Sequence, residues 1–213
     1  MNDWIFKDYH MMGFDLDGTL YDEFDFISQA YNSISGFISK EYKINKEKLL
    51  KDMVCLWLRY GSSKTDLFQT AFNDQNIEVN KSDFKECIRL YRESFFKLDL
   101  SQRVKNALNI INEKNIKIFI VTDGNSRLQR RKIEALGLYQ WFDKDMIFVS
   151  GDYGREFQKP STKILEPIDS ECNLEGKKIA YFSDRAIDQK FAECAKFDFY
   201  YAPCMNVVRM EKY

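Results

Sequence analysis

The sequence predicts an α/β protein in which a Rossmann-like parallel sheet forms the core and an α-helical cap domain is inserted into it. Three observations predict this fold class. Short apolar runs of strand length recur along the chain, helical patterns separate the later runs, and nearly a hundred residues without a strand pattern follow the first run. Near-continuous apolar runs indicate strands buried on both faces, as in a parallel sheet covered by helices.

Five segments have the pattern of buried strands, and the first is weaker than the others. They are YHMMGFDLDG (9–18), IKIFIVTDG (116–124), MIFVSG (146–151), KKIAYFSD (177–184) and FDFYYA (197–202). Helical patterns over 126–136, 161–170 and 188–194 alternate with the later strands, which is the βαβ order of an open α/β sheet. Because Pro167 lies inside the middle helix, we expect that helix to kink or end there.

The segment after the first strand is far longer than a βαβ crossover, which needs about a dozen residues. Helical patterns cover 24–40, 46–59, 64–72 and 82–97. In the first of them Ile27, Tyr31 and Ile34 recur at helical spacing, which indicates a helix with one buried face. We therefore expect residues 1–20 and 99–213 to form the core and residues 21–98 to form the cap domain.

The composition argues against several classes of protein. The net charge is −1, from 32 basic and 33 acidic residues, so the chain lacks the basic footprint of a nucleic-acid-binding protein. No apolar run approaches the roughly 18 residues of a membrane span, and the N-terminal residues lack the apolar core of a signal peptide. One local basic cluster is interpreted as a solvated helix face: Arg127, Arg130, Arg131 and Lys132.

The cysteines indicate the compartment. There are 5, scattered and without CxxC spacing, which argues against a disulfide scaffold or a structural zinc site. Scattered cysteines of this kind are typical of proteins whose thiols stay reduced, as they do in the cytoplasm. We therefore expect a cytoplasmic protein with no nucleic-acid or membrane partner, and the sequence leaves its oligomeric state open.

Polar side chains follow three of the predicted strands at the point where each strand ends. They are, in chain order, Asp15 with Asp17, Thr122 with Asp123, and Ser183 with Asp184. Because ligands of open α/β sheets bind at the carboxyl ends of the strands, we expect these groups to converge, together with Lys159 from the loop after the third strand. Clustered carboxylates favour a hard cation such as Mg²⁺, which also offsets their mutual repulsion.

This set of groups suits phosphoryl transfer through an aspartyl-phosphate. A carboxylate nucleophile divides one difficult displacement into two easier steps. Mg²⁺ and a lysine neutralise the negative charge of the nucleophile and the phosphate. A second carboxylate two residues away can protonate the leaving oxygen and then activate a water molecule. A hydroxyl and backbone N–H groups at a strand-to-helix turn can hold the phosphoryl oxygens.

The chain resembles the haloacid dehalogenase-like (HAD) hydrolase superfamily, in its phosphatase branch with a helical cap after the first motif. The four motifs of that superfamily are matched in order by DLDGT (15–19), IVTDG (120–124), SGDYGREFQKPSTKIL (150–165) and YFSDRAID (181–188). The resemblance implies a Mg²⁺-dependent phosphatase whose substrate is a small-molecule phosphate ester. It implies Asp15 as the nucleophile and Asp17 as the general acid and base.

The resemblance also implies roles for the remaining motif residues. Thr122 and Lys159 are expected to take part in catalysis. The expected metal ligands are Asp15, Asp17 and Asp184, with Asp188 in a supporting role. The expected substrate-binding residues are Thr122, Asp123, Gly124 and Lys159.

Two departures from the pattern of the superfamily concern single residues. Ser183 stands where a glycine often precedes the fourth-motif aspartate, and Asp123 stands where many relatives have asparagine. Asp123 either alters substrate preference or caps the turn into the next helix, and we favour the cap. Tyr21 and Glu23 lie where the chain enters the cap domain and are candidates for the border of the pocket. Asp22, next to them, is interpreted as a bystander.

Three alternative functions remain open at this point. A phosphomutase would use the same four motifs, but the β-phosphoglucomutase-like relatives carry a histidine in the cap, and the single histidine here, His10, precedes the first strand. A haloalkanoic acid dehalogenase lacks the second aspartate of the first motif, which is present here as Asp17. The third alternative is a non-catalytic binding or regulatory protein on the same scaffold, although the complete acidic set and Lys159 favour catalysis.

Overall fold

In a computed structural model, which describes residues 9–62 and 64–207, the chain divides into two compact units. The described part of the first, the core unit, is residues 9–23 and 98–207. The second, the helical unit, is Phe24–Lys97. The expected core range also includes residues 1–8 and 208–213, which lie outside the described residues.

The core unit contains a five-stranded parallel sheet with the strand order β3-β2-β1-β4-β5. In chain order the strands are β1 (Met11–Phe14), β2 (Lys117–Thr122), β3 (Ile147–Val149), β4 (Ile179–Ser183) and β5 (Asp198–Tyr201). Each strand forms within a segment predicted as a strand, and the predicted α/β fold with a parallel sheet is confirmed. Because β1 pairs with β2 on one side and β4 on the other, the motif that follows β1 lies in the middle of the carboxyl edge of the sheet.

Gly13 explains why β1 has a weak hydrophobic pattern and still occupies the centre of the sheet. A Cβ atom at this position would lie 2.5 Å from the ring of Phe119 in β2 and 2.8 Å from the ring of Tyr181 in β4. Both of these aromatic residues are fully buried. The glycine therefore lets two large side chains from the neighbouring strands pack over β1.

Four α-helices belong to the described part of the core unit. They are α5 (Gln102–Glu113), α6 (Ser126–Ala135), α7 (Leu165–Cys172) and α8 (Ala186–Ala195). The predicted elements lack α5, although its buried residues Val104, Leu108 and Ile111 recur at helical spacing. The side chain of Ser101 caps its first turn by accepting the N–H of Val104 at 3.3 Å. This stripe and this cap are the sequence signals for α5.

The predicted helix over 161–170 forms in two parts. A 3₁₀ turn, Thr162–Ile164, is followed by α7. Pro167 lies in the first turn of α7, where the missing N–H of a proline would have had no partner inside the helix. The helix therefore does not end at Pro167 but begins two residues before it.

The helical unit contains four predicted helices. They are α1 (Glu23–Tyr42), α2 (Lys46–Tyr60), α3 (Leu67–Asp74) and α4 (Lys81–Glu93), and their ends differ from the predicted ones by a few residues. The interior is aromatic: the ring of Phe26 packs edge to face against the rings of Tyr91 and Phe96, with both centroid distances at 5.2 Å. The side chains of Asn45 and Asn80 cap α2 and α4. No helix in the described part of the chain is both long and apolar enough to cross a membrane.

Substitution of Gly13 by alanine is expected to destabilise the protein, because the added methyl group overlaps two buried rings. The expected loss in the free energy of unfolding is about 1–3 kcal/mol. Gly36, inside α1, provides the matched control, since the nearest atom to a Cβ there is Cε of Lys46 at 3.8 Å. Gly36→Ala is expected to stabilise the protein by about 0.5–1 kcal/mol through its higher helix propensity. Urea unfolding followed by circular dichroism measures both changes, and equal changes would contradict the packing argument.

Candidate active site

The carboxyl edge of the sheet collects the polar residues that follow the central strands. Asp15 comes directly after β1, and its backbone N–H donates to the carbonyl of Phe182 in β4 at 3.0 Å, so the strand pairing continues to it. Thr122 is the last residue of β2, and Ser183 is the last residue of β4. Because these three strands are neighbours, the sheet order brings the first, second and fourth motifs to adjacent positions.

Lys159 links two of the predicted carboxylates through its ammonium group. Its Nζ donates to Oδ1 of Asp15 at 2.7 Å and donates a second, short hydrogen bond to Oδ1 of Asp188. A third donation, at 3.2 Å, goes to the carbonyl of Val121 in β2. The three charged side chains are at most 1% exposed, so water does not screen the ion pairs. Charges this deeply buried need partners, and these three provide them for one another.

Burial and pairing shift the pKa values of these groups in different directions. Burial raises the pKa of Asp15, and Lys159 offsets this only in part. Burial acts in the same direction on Asp188, but Lys159 and Arg185 outweigh it and hold the pKa of Asp188 below its ordinary value. Burial would lower the pKa of Lys159, but the surrounding oxygens, those of Asp15 first, hold that pKa well above its ordinary value. Lys159 is therefore a permanent cation beside Asp15.

Asp123 holds the loop that carries Lys159. Its carboxylate accepts the backbone N–H of Lys159, at 3.1 Å from Oδ2 and 3.3 Å from Oδ1. The favoured interpretation of Asp123 as a helix cap is wrong. The N-cap of α6 is Asn125, whose side chain accepts the N–H of Leu128 at 3.1 Å. Asp123 lies two residues before that cap, and its carboxylate bonds instead to the N–H that the facing loop presents.

Three donors surround the carboxylate of Asp17. Nζ of Lys132 lies 2.6 Å from Oδ1, and the hydroxyl of Tyr21 donates a short hydrogen bond to the same oxygen. The side-chain amide of Gln129 donates to Oδ2 at 2.7 Å and to the hydroxyl oxygen of Thr122 at 2.6 Å. Burial would raise the pKa of Asp17, but Lys132 and the other donors outweigh it and hold that pKa below its ordinary value. Asp17 is therefore ionised.

Lys132 and Gln129 are site residues absent from the predicted set. The interpretation of Lys132 as part of a solvated basic face is wrong, because its side chain is 3% exposed. Both residues lie on the buried face of α6 together with Leu128 and Ile133. Lys132 follows Leu128 by four residues, so the two share one side of the helix. This spacing is the signal in the sequence that places Lys132 toward the interior.

The turns after β2 and β3 are packed against each other. Gly124 has a φ of 137°, a conformation that glycine adopts without strain. A Cβ on Gly151 would lie 2.2 Å from the carbonyl oxygen of Gly124 and 2.9 Å from the backbone nitrogen of Ser126. The Ser126 hydroxyl also donates to Asp152, which forms an ion pair with Arg130 at 2.6 Å. These contacts hold the start of α6 against the third motif.

Asp184 lies one residue beyond β4, beside the turn of the first motif. Its Oδ1 accepts the hydroxyl of Thr19 at 3.4 Å. Its Oδ2 would be 2.3 Å from a Cβ on Gly18, whose φ is 77°. Only a glycine at position 18 therefore lets the carboxylate approach this turn so closely. Burial raises the pKa of Asp184.

Two observations bear on the predicted Mg²⁺ ligands. Within 9–62 and 64–207, no three histidine, cysteine, aspartate or glutamate side chains form a group that could hold a metal ion. Asp17, one of the three expected ligands, already accepts hydrogen bonds at both carboxylate oxygens. By contrast, Oδ2 of Asp15 is buried and has no hydrogen-bond partner among the described residues. A donor set of Asp15 and Asp184 fits Mg²⁺, which is often held by one or two carboxylates together with water and substrate phosphate.

The two aspartates of the first motif therefore have opposite environments. Asp15 has one oxygen on a buried ammonium group and one buried oxygen to which no described residue donates a hydrogen bond. Asp17 is held by donors at both oxygens and is ionised. Because the raised pKa belongs to Asp15 and the lowered pKa to Asp17, these shifts do not assign the roles of nucleophile and proton carrier, which rest on the contacts of the two carboxylates.

Sequence comparison relates the chain to known hydrolases. A sequence model described as haloacid dehalogenase-like hydrolase matches residues 13–202. The human N-acylneuraminate-9-phosphatase is 27% identical over 177 residues, which cover 76% of this chain and 68% of that protein.

Solved structures share the fold. A magnesium-bound protein from Bacillus subtilis, assigned as a HAD hydrolase, has a TM-score of 0.67 and 19% identity over 91% of this chain and 86% of its own. A protein from Thermotoga maritima, assigned as a β-phosphoglucomutase, has a TM-score of 0.64 and 22% identity over 89% and 82% of the two chains. At these identities the likeness concerns the fold alone.

Removal of the Lys159 charge is expected to destabilise the core unit, because Asp15 would lose the ammonium group bonded to it and Asp188 would keep only its ion pair with Arg185. Lys159→Met is expected to lower the free energy of unfolding by about 3–5 kcal/mol, as measured by urea unfolding at neutral pH. Combination with Asp188→Asn is expected to recover part of that loss, because one of the two buried carboxylates is neutralised.

Lys163, an exposed lysine in the same loop region, provides the matched control. Lys163→Met is expected to change the free energy of unfolding by less than about 0.5 kcal/mol. A loss for Lys159→Met no larger than that of the control would show that the buried ion pairs do not support the fold.

Proposed function

The chain belongs to the haloacid dehalogenase-like hydrolases, and we propose that it is a phosphatase that hydrolyses small-molecule phosphomonoesters through an aspartyl-phosphate on Asp15. The environment of Asp15 carries the proposal. One of its oxygens is bound to Lys159 at 2.7 Å, and the other is buried without a hydrogen-bond partner among the described residues. A carboxylate beside a permanent cation, at the carboxyl edge of the central strand, suits attack on an anionic phosphate.

In the first step an oxygen of Asp15 attacks phosphorus, and the ester P–O bond breaks. The electrons of that bond pass to the ester oxygen, which takes the proton of the Asp17 carboxyl group and leaves as an alcohol. Asp17 is ionised in the free protein, and the negative charge of a bound phosphate favours uptake of the proton that it then delivers. Lys159 stays protonated and stabilises the charge that develops around phosphorus.

In the second step Asp17 acts as the base. Its carboxylate takes a proton from a water molecule, and the oxygen of that water attacks phosphorus. The bond between phosphorus and Asp15 breaks, and its electrons return to the Asp15 carboxylate. Inorganic phosphate leaves, Asp17 releases its proton to solvent, and the free protein is restored with Asp17 ionised. The donors around Asp17 keep it ionised, as this step requires.

We propose Asp15 and Asp184 as the protein ligands of the expected Mg²⁺ ion, with water and phosphate oxygens at the other positions. When bound, Mg²⁺ neutralises phosphate oxygens so that an anionic nucleophile can approach. Two observations support this choice: Oδ2 of Asp15 has no hydrogen bond among the described residues, and Asp184 lies against the first-motif turn. Asp17 is left out of the ligand set because both of its oxygens already accept hydrogen bonds.

The first substrates to test are alkyl phosphomonoesters. The name of the human relative states that it acts on an N-acylneuraminate 9-phosphate. That compound is the phosphate ester of a sugar-acid alcohol, and an alkyl ester is the kind of substrate whose leaving oxygen needs the proton that Asp17 supplies. We therefore propose sugar and sugar-acid phosphates as the class within which the substrate lies.

Phosphate release by the purified protein tests the proposed function. The panel is p-nitrophenyl phosphate, glycerol 2-phosphate, common sugar phosphates and N-acetylneuraminate 9-phosphate, each with Mg²⁺ or with excess EDTA. Turnover is expected with Mg²⁺, and EDTA is expected to reduce it by about 10²-fold, since a metal ion supplies several kcal/mol of transition-state stabilisation. Interconversion of a sugar phosphate without release of phosphate would identify a phosphomutase instead.

Substitution of the nucleophile separates this mechanism from hydrolysis elsewhere on the protein. Asp15→Asn is expected to reduce turnover by at least about 10³-fold, because the covalent intermediate cannot form. Asp22→Asn, at an exposed aspartate seven residues along the chain, provides the matched control and should behave like the wild type. Absence of turnover on the whole panel, or full activity of Asp15→Asn, would refute the proposal.

A further inference from the structure

Two buried side chains of α6 reach Asp17 across more than a hundred residues of sequence. Lys132 and Gln129 donate to opposite oxygens of its carboxylate, at 2.6 and 2.7 Å. We propose that Lys132 and Gln129 are positioning residues, which fix the Asp17 carboxylate for proton transfer to and from the leaving oxygen. This inference rests on the proposed function and adds to it two residues and a specific oxygen atom.

Burial makes a role in orientation the better explanation of this ion pair. Lys132 and Gln129 are each 2% exposed. A buried ion pair is often no more stabilising than apolar side chains of the same volume, so the fold by itself does not call for a lysine at this position. The lysine is instead matched to one particular carboxylate, the one that follows β1 at the carboxyl edge of the sheet.

Gln129 connects Asp17 to a second site residue. Its Nε2 lies 2.7 Å from Oδ2 of Asp17 and 2.6 Å from the hydroxyl oxygen of Thr122. An amide NH₂ group has two hydrogens, so it can donate one to each acceptor. The same side chain therefore fixes the distance between the first motif and the second.

The hydrogen bonds also identify the oxygen that can exchange protons. A carboxylate has about four acceptor positions, two on each oxygen. Lys132 and Tyr21 occupy both positions on Oδ1 of Asp17, whereas Gln129 occupies one position on Oδ2. The acceptor position that the donors in 9–62 and 64–207 leave open is on Oδ2. We assign the proton transfer to this atom, with Oδ1 held in place by its two donors.

Loss of this positioning should depend on the leaving group of the substrate. Nitrophenolate is a weak base and leaves without a proton, whereas an alkoxide needs one. kcat/KM reports the steps up to release of the alcohol or phenol, so it isolates the transfer from Asp17. The two probes are p-nitrophenyl phosphate and the alkyl phosphate of the panel that the wild type hydrolyses fastest.

Lys132→Met removes the charge but keeps an apolar side chain of similar length. It is expected to lower kcat/KM by about 10²-fold with the alkyl phosphate and by less than about threefold with p-nitrophenyl phosphate. Asp17→Asn is expected to show the same dependence on the leaving group. Lys132→Arg is expected to recover most of the activity, because it restores a cation that can donate to Oδ1.

Two further variants keep the test decisive. Gln129→Met leaves the ion pair between Lys132 and Asp17 in place, so it can be tested even if Lys132→Met fails to fold. It is expected to lower kcat/KM less than Lys132→Met does, and again more with the alkyl phosphate than with p-nitrophenyl phosphate. Lys190→Met changes an exposed lysine of α8 and is expected to leave both substrates unaffected. Circular dichroism establishes that each variant is folded.

Three results would overturn the inference. Equal losses on both substrates for folded Lys132→Met and Gln129→Met would give these residues a structural role only. Wild-type values for both variants would give them no role. Both results leave the proposed function standing, because the wild type still turns over. Absence of wild-type turnover on every substrate of the panel would instead refute the proposed function, and the inference with it.

Discussion

The buried ammonium group of Lys159 is the interaction on which the rest of the site depends. It pairs with Asp15 after the central strand and with Asp188 in α8, while its own backbone is held by Asp123 after β2. Without this cation the two carboxylates would face each other in the interior, and removing one unpaired charge from water costs several kcal/mol. One lysine therefore lets three separate segments of the core unit meet at a single point.

A second lysine, Lys132, offsets the repulsion between the two neighbouring carboxylates of the first motif. Asp15 and Asp17 are two residues apart, with side chains 1% and 14% exposed, and each has its own cation, Lys159 for the former and Lys132 for the latter. The two pairs have opposite outcomes, because burial prevails at Asp15 and the donors prevail at Asp17. The two carboxyl groups therefore lie two residues apart in different environments, because each has its own set of donors.

Much of the fold could be predicted from local patterns, because strand and helix signals are local. All five strands lie within predicted segments, and their parallel arrangement follows from the βαβ order. The helix α5 carries an equally local signal in Ser101 and its apolar stripe, yet it is absent from the predicted elements. The role of Gly13 is different in kind, since only the rings of Phe119 and Tyr181 across the sheet show why a side chain does not fit there.

The sequence by itself determined membership of the HAD hydrolases and which residues end the central strands, because motif order and strand ends are properties of the chain. Tertiary structure alone decided how the polar groups are paired. The carboxylate of Asp123 bonds to the Lys159 loop rather than to α6, Lys132 of the basic cluster pairs with Asp17, and both carboxylate oxygens of Asp17 accept hydrogen bonds. The physical reason is that hydrogen-bond partners depend on how a helix is rotated about its axis and where a loop passes. Those are fixed by packing between residues that are far apart in the sequence.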